Sequence, residues 1–272
     1  MRDFFISTAE LKLRIGTADA PVIYDTCRAS RFAEHDRILP TARWRDHAKV
    51  GDWARDIPYG ASVVVNCVRG HNVSQLAVSA LRERGIDARA LAGGIEGWLA
   101  DGGPTILKAA LPGRDESRPS RWVTRILPKV DRIACPWLIR RFIDRDAEFH
   151  FVEPKYVVEV ATELGGIPYD IEGVEIGHEG PLCSFDTLIR RFGIEDTALH
   201  ELALVVRGAD TARPDLAPEA AGLLAVSLGN SALSGGDDRG ALARGFPVYD
   251  ALYAWRRHAT GETHNWPAKR PA

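Results

Sequence analysis

No two cysteines in this sequence stand in C-x-x-C spacing, no long apolar run opens it, and it carries almost no net charge. Each absence excludes something. Cys27, Cys67, Cys135 and Cys183 are too widely separated for a zinc ribbon. Four thiols could close two disulfides, but a 272-residue chain without an export signal is expected to be cytoplasmic and reduced. Each cysteine then needs its own account. The opening stretch MRDFFISTAELKLRIG is interrupted by Glu10, Lys12 and Arg14, and reads as neither a signal peptide nor a membrane span. A net charge of −2 supplies no field to gather nucleic acid or acidic lipid, so neither is expected as a partner. Small-molecule chemistry is the starting point.

The apolar share of 45% and charged share of 26% are those of a folded globular protein, long enough for one large domain or two ordinary ones. VIYDTC (Val22–Cys27), SVVVNC (Ser62–Cys67) and ARALAGG (Ala88–Gly94) read as strands, the second β-branched and nearly unbroken, as a strand covered on both faces should be. Ser30–His35 and Gln75–Arg84 read as helices; in the latter Leu76, Ala77, Ala80 and Leu81 recur at helical spacing, and Gly85 is a natural stop. Alternating strands and helices imply an α/β layer with a parallel sheet. The pattern ends at LPGRDESRPS (Leu111–Ser120), a hydrophilic linker. Beyond it the texture is helix-rich. CPWLIRRFIDR places Pro136 in a first turn, SFDTLIRRFG takes Ser184 as N-cap and Gly193 as stop, and TALHELALVVRG and PEAAGLLAVSLG are further helices. One strand is expected at Glu148–Val152. LIRRF occurs at Leu138 and again at Leu188, which reads as two surface helices with basic outer stripes. The tail from residue 259 has little to pack.

Cys67 falls where the second strand hands over to a helix. Ligands of an open parallel sheet bind beyond the carboxyl ends of its strands. If the helix starts near Val73 or Ser74, the loop of Val68, Arg69, Gly70, His71, Asn72 and Val73 can curl so that its N–H groups face one point. Gly70 would permit the turn. Converging amides at a helix N-terminus bind anions and favour a thiolate, and Arg69 and His71 would add positive charge. A buried, inert cysteine is the competing reading.

Four segments together resemble the rhodanese family of sulfurtransferases: VIYDTCRASRF with Asp25, ILPTARW, VVVNCVRGHNVSQ, and ARALAGGIEGWLADGGPT. They cover about 100 residues. The resemblance implies a rhodanese-like parallel-sheet domain over residues 1–110, with Asp25 and the loop from Val68 to Val73 binding substrate. It implies that Cys67 takes sulfane sulfur from thiosulfate or a similar donor, holds it as a persulfide, and passes it to a thiol acceptor, with no cofactor required. Counted from Cys67 to Ser74, the loop is one residue longer than the common six-residue form, and longer loops in this superfamily accommodate larger oxyanions. The arginine that usually follows the first aspartate by two residues is replaced by Cys27, which could resolve Cys67 or simply pack.

In the second half LPKVDRIACPWLIRRFID, EIGHEGPLCSFDTLIRRFG and VVRGAD resemble the C-terminal domain of the chromate-resistance protein ChrB family, over residues 121–258. That implies a role in chromate tolerance, with chromate as a further partner. His178 and Glu179, joined by Asp210, suit a transition metal in this half, although neighbouring residues rarely chelate one ion and packing or capping would explain each. Lys129, Asp131, Arg132, Arg140 and Arg141 could clamp an oxyanion or form a solvated face. The leading expectation is a sulfurtransferase. The alternatives are an oxyanion or metal sensor without turnover, and a thiol-dependent oxyanion reductase using Cys67 with Cys27.

Overall fold

A computed structural model describes residues 3–111 and 119–262; most of the linker read at Leu111–Ser120, and residues 263–272 of the tail, lie outside the described residues. The first half runs β1 (Phe5–Ile6), α1 (Thr8–Arg14), β2 (Val22–Asp25), α2 (Ala29–Glu34), β3 (Arg37–Ile38), β4 (Arg43–Trp44) and α3 (Val50–Trp53). It continues through β5 (Ser62–Asn66), α4 (Val73–Glu83), β6 (Asp87–Leu91), α5 (Gly94–Ala100) and β7 (Ile106–Leu107). Five of these strands form one sheet in the order β1-β6-β5-β2-β4, every neighbouring pair parallel. The short β3 and β7 make a separate antiparallel pair.

The β-branched run in β5 sits at the centre because it can be covered on both faces. Val63 and Val65 point to one side, packing with Val22, Tyr24, Ala77, Val78 and Leu81. Val64 points to the other, packing with Ile23, Leu91, Ile95 and Trp98. The alternation is the period of two of a pleated strand. Each fully buried aliphatic side chain of this kind contributes about 1.5–3 kcal/mol.

The second half runs β8 (Arg121–Arg125), α6 (Val130–Leu138), β9 (Glu148–Val152), α7 (Val157–Leu164) and β10 (Ile167–Pro168). It ends with α8 (Ser184–Arg191), α9 (Thr197–Asp210), α10 (Ala220–Ser234) and α11 (Asp238–His258). It is helix-rich, as expected, but β9 belongs to a three-stranded parallel sheet in the order β10-β8-β9. The arginines at both ends of RWVTR mask a short strand whose centre, Trp122 to Thr124, is fully buried.

Two helix starts differ from the sequence reading. Pro136 lies inside α6, not in its first turn, because the helix begins at Val130. A proline there removes one main-chain donor, and α6 passes directly into a π-turn over Ile139–Ile143. Cys183, not Ser184, caps α8, with the Asp186 carboxylate accepting from the Cys183 N–H at 3.1 Å. The two LIRRF copies also differ. The first spans the end of α6 and the π-turn, and α6 is buried on nearly every face. The second lies on α8, where Arg190 and Arg191 are exposed and pair with Glu179 and Glu175.

One core joins the two halves: Leu11, Ile15, Leu39, Trp98 and Ile106 belong to the same cluster as Trp122, Trp137, Phe142, Phe185 and Tyr253. Polar contacts cross at the same place. Thr41 N–H donates to the Phe142 carbonyl at 3.0 Å, and Leu107 N–H donates to that of Phe192 at 2.9 Å. Arg257 donates to the carbonyls of Lys12 and Ile15 at 2.6 and 3.1 Å.

Candidate functional site

Chain direction places the thiols. From β2 the chain moves to β4 on one side of the sheet, and from β5 it moves to β6 on the other. Between β2 and β5 the order reverses, and a crevice opens where strand ends diverge. Asp25 and Asn66 are register partners at the carboxyl ends of these two strands, and Cys27 and Cys67 follow them. Both cysteines line one cavity of about 410 Å³ with Arg28, Arg31, Val68, Arg69, His71, Asn72 and Val73. Two larger hollows, of about 670 and 510 Å³, lie elsewhere and have no cysteine in their walls.

The loop after Cys67 is fastened by its carbonyls. Those of Cys67 and Val68 accept from Ile95 and Glu96 N–H at 2.9 and 3.1 Å, and that of Gly70 accepts from Gln75 Nε2 at 3.1 Å. In a trans peptide the next N–H points opposite to the carbonyl. Among the described residues, none of the N–H groups from Val68 to Val73 has a protein acceptor. The close packing requires glycine at two points. Gly70 has φ +70°, and a Cβ there would stand 2.3 Å from the Leu91 carbonyl oxygen; at Gly94 it would stand 2.2 Å from that of Cys67.

Cys67 is 5% exposed. Its Sγ donates to Ser74 Oγ at 3.2 Å and faces the His71 carbonyl at 3.4 Å. Among the described residues no main-chain N–H donates to the sulfur, and the loop amides are left without a protein acceptor. Ser74 is the sulfur's hydroxyl partner; the sequence reading treated it only as a helix start.

Asp25 does not line the cavity. It is 2% exposed and accepts from Cys27 N–H at 2.8 Å and Asn66 Nδ2 at 3.2 Å. These two bonds tie its carboxylate to the ends of β2 and β5. Burial raises its carboxyl above the usual range. Burial, with Asp25 beside it, pushes the Cys27 thiol far up, and Cys67 is close enough to add to that. Gly70 also lies outside the cavity wall and serves the turn. Arg69 pairs with Glu96 at 2.9 Å, and its side chain is 70% exposed. Arg28 and Arg31 stand in the wall unforeseen: Arg28 follows Cys27 directly, one place beyond the position that usually carries arginine in the resembled family.

A second group forms in the other half. His178 Nε2 lies 3.1 Å from Asp210 Oδ2, 3.5 Å from Asp170 Oδ1 and 3.7 Å from Asp131 Oδ2. Asp131, Asp170 and His178 each offer a ligand atom within 4.8 Å of the others, so they could hold a metal ion. His178 and Asp210 thus come together as read from the sequence, but Glu179 does not. Its carboxylate turns to Arg190, since adjacent side chains on a loop diverge. The hydrogen bond to Asp170, with Asp131 and Asp210 adding to it, raises the imidazole to about 9 against the effect of burial. Burial pushes the Asp131 carboxyl well up, helped by Asp210 and Asp170. Burial also pushes Asp170 up, but its bonds from His178 and Ser184, with Arg132 and Arg125 beside it, carry it below the ordinary value.

The basic residues near α6 do not converge. Arg132 faces Asp170, Arg140 donates to the Ala147 carbonyl, and Arg141 makes a two-pronged pair with Asp250 at 2.8 Å for each bond. Cys183 is buried, donates to Asp186 at 3.3 Å, and is driven far up by burial; it is a packing thiol.

Residues 122–256 match the family model of the ChrB C-terminal domain. The match takes in 135 of the chain's 272 residues, just under half. Protein ChrB of Cupriavidus metallidurans is 35% identical over 158 residues, covering 57% of this chain and 47% of that protein. The chain thus spans about half the length of the curated ChrB it matches. Among solved structures, a rhodanese-related protein from Thermoplasma volcanium is 20% identical and covers 39% of this chain and 100% of its own, with a TM-score of 0.35. A Staphylococcus saprophyticus protein is 23% identical over 35% of this chain and 93% of its own, with a TM-score of 0.32. At those values the structural likenesses bear on neither activity nor substrate. The His178 group lies wholly within the ChrB-type half. Among the described residues, no helix is long and apolar enough to cross a membrane.

Proposed function

We propose that the protein is a sulfurtransferase in which Cys67 carries sulfane sulfur, and that it serves chromate tolerance, the setting that the ChrB resemblance implies. The observation that carries this reading is the cavity around Cys67: a thiol in the wall, six loop amides without acceptors, and Arg28, Arg31 and Arg69 around them. Such a cavity suits a small dianion such as thiosulfate. The Cys67 thiolate attacks the outer sulfur, the S–S bond breaks, and sulfite leaves with the electron pair. The loop amides hold the departing sulfonate oxygens. An acceptor thiolate then attacks the persulfide and restores Cys67. The Ser74 hydroxyl, already 3.2 Å from the sulfur, donates to the thiolate in both half-reactions. Incubation with thiosulfate and cyanide should yield thiocyanate, and Cys67→Ser should abolish it. Thiocyanate formation unchanged by that substitution ends the assignment.

Cys27 in the same cavity favours a second reading, a two-electron reduction of an oxyanion that leaves a Cys27–Cys67 disulfide. Its mark is loss of both free thiols on turnover with no persulfide in the intact mass. Binding of chromate without turnover would instead support the sensor reading.

A further inference from the structure

We propose that Asp131, Asp170, His178 and Asp210 bind one divalent first-row metal ion in the ChrB-type half, through three carboxylate oxygens and one imidazole nitrogen. The side chains come from separate parts of the fold: the first turn of α6, the second residue after β10, the loop before α8, and the last residue of α9. Main-chain pairing of Tyr169 with Ile176 closes the loop between Asp170 and His178.

Two observations point to a cation. The first is spacing. A metal at roughly 2.1 Å from each ligand separates neighbouring ligand atoms by about 3.0–3.4 Å. The imidazole nitrogen lies 3.1, 3.5 and 3.7 Å from the three carboxylates, and the ligand atoms of Asp131, Asp170 and His178 lie within 4.8 Å of one another, so the group would close around an ion, with Asp210 reaching it from the His178 side. The second is a missing partner. Asp131 is 1% exposed, with Oδ2 accepting from the N–H groups of Ser184 and Phe185, while its buried Oδ1 has no hydrogen-bond partner. Oδ2 is the oxygen that faces His178, so a cation here would draw on a buried carboxylate whose other oxygen lacks the partner a buried polar atom needs.

The surroundings already orient the ligands. Arg125 and Arg132 lie 3.4 and 3.5 Å from Asp170 Oδ2, and the Ser184 hydroxyl donates to Oδ1 at 2.8 Å. That is the outer support that ligating carboxylates have. His178, 44% exposed, marks the way in. With three oxygens, one nitrogen and no thiolate, the set suits Mn(II), Fe(II), Co(II) or Zn(II) rather than Cu(I).

Chelator-treated full-length protein titrated with cobalt(II) chloride should take up one equivalent and develop d–d bands without a thiolate charge-transfer band. Asp210→Asn and His178→Gln should each weaken uptake about tenfold or more, since even partners that only orient a ligand carry that much. Glu179→Gln should bind as the unaltered protein does. Circular dichroism checks that each variant is folded; should His178→Gln unfold, Asp210→Asn decides alone. No uptake at millimolar cobalt, thiolate bands, or binding unchanged in the folded variants overturns the proposal. None of these outcomes bears on Cys67, because thiocyanate formation reads that site separately.

Discussion

The Sγ of Cys67 lies 3.2 Å from the hydroxyl of Ser74, and that hydroxyl also reaches the His71 carbonyl at 3.3 Å. One serine thus links the candidate nucleophile to the loop that follows it. A hydrogen bond to a charged partner is worth about 1.5–3 kcal/mol. Ser74→Ala should slow persulfide formation by roughly 10- to 100-fold at that value while the fold stays intact, because the site is buried and alanine fits it. Single-turnover kinetics by intact mass, with circular dichroism alongside, make the comparison.

Arg28 has no acidic partner among the described residues, whereas Arg31 pairs with Glu34 at 2.6 Å and Arg69 with Glu96 at 2.9 Å. Its charge is the one available to an incoming anion. A partly exposed charge contributes on the order of 1 kcal/mol. Arg28→Ala should therefore raise the KM for thiosulfate about fivefold with kcat little changed, the pattern of lost uniform binding. The effect should shrink as salt rises. A fall in kcat at constant KM would place Arg28 in the reaction step instead.

Asp144 holds the two halves together. It is 3% exposed and accepts from Arg43 at 2.9 Å, from Ser120 N–H at 2.8 Å and from Ser120 Oγ at 2.7 Å. Asp144→Ala removes these bonds but leaves Arg43 its second carboxylate, Asp146 at 2.8 Å, so the loss should be that of a charged hydrogen bond, about 1.5–3 kcal/mol. Denaturant unfolding should show that loss as one cooperative transition, because a single core spans both halves. Two separate transitions would show that the halves fold independently.

His178 gives a pH dependence with a definite sign. Its imidazole is raised from 6.5 to about 9 in the folded chain, chiefly by Asp170. A raised value means that the folded state binds the proton more tightly. Its stabilisation is complete below pH 6.5 and disappears as pH rises through about 9. In metal-free protein, the stability advantage over His178→Gln should be largest at pH 6 and fade by about pH 10. Thermal unfolding of both proteins across that range reads it, and a constant difference would show that the imidazole does not titrate between its folded and unfolded values.

The strands of the first sheet were legible because their signal is local. Val63, Val64 and Val65 are consecutive β-branched residues, and a strand covered on both faces needs little more than that. Cys67 was legible for the same reason, since it ends a readable strand and precedes a readable helix. The sulfur's surroundings were not, because Ser74 approaches it through the curl of a loop fastened to Ile95, Glu96 and Gln75. Helix α6 was misplaced because Pro136 favours a first turn, whereas burial on almost every side carries this helix through it.

The second site divides differently. The sequence by itself determined which residues carry ligating atoms, and it supplied His178 and Asp210, but it also supplied Glu179, their equal in chemistry. Only the tertiary structure decided among them. It turned Glu179 to Arg190 and brought in Asp131 and Asp170 from positions 47 and 8 residues before His178. Ligand geometry is a relation in space, set by how α6, α9 and the loop after β10 pack. No spacing along the chain encodes it.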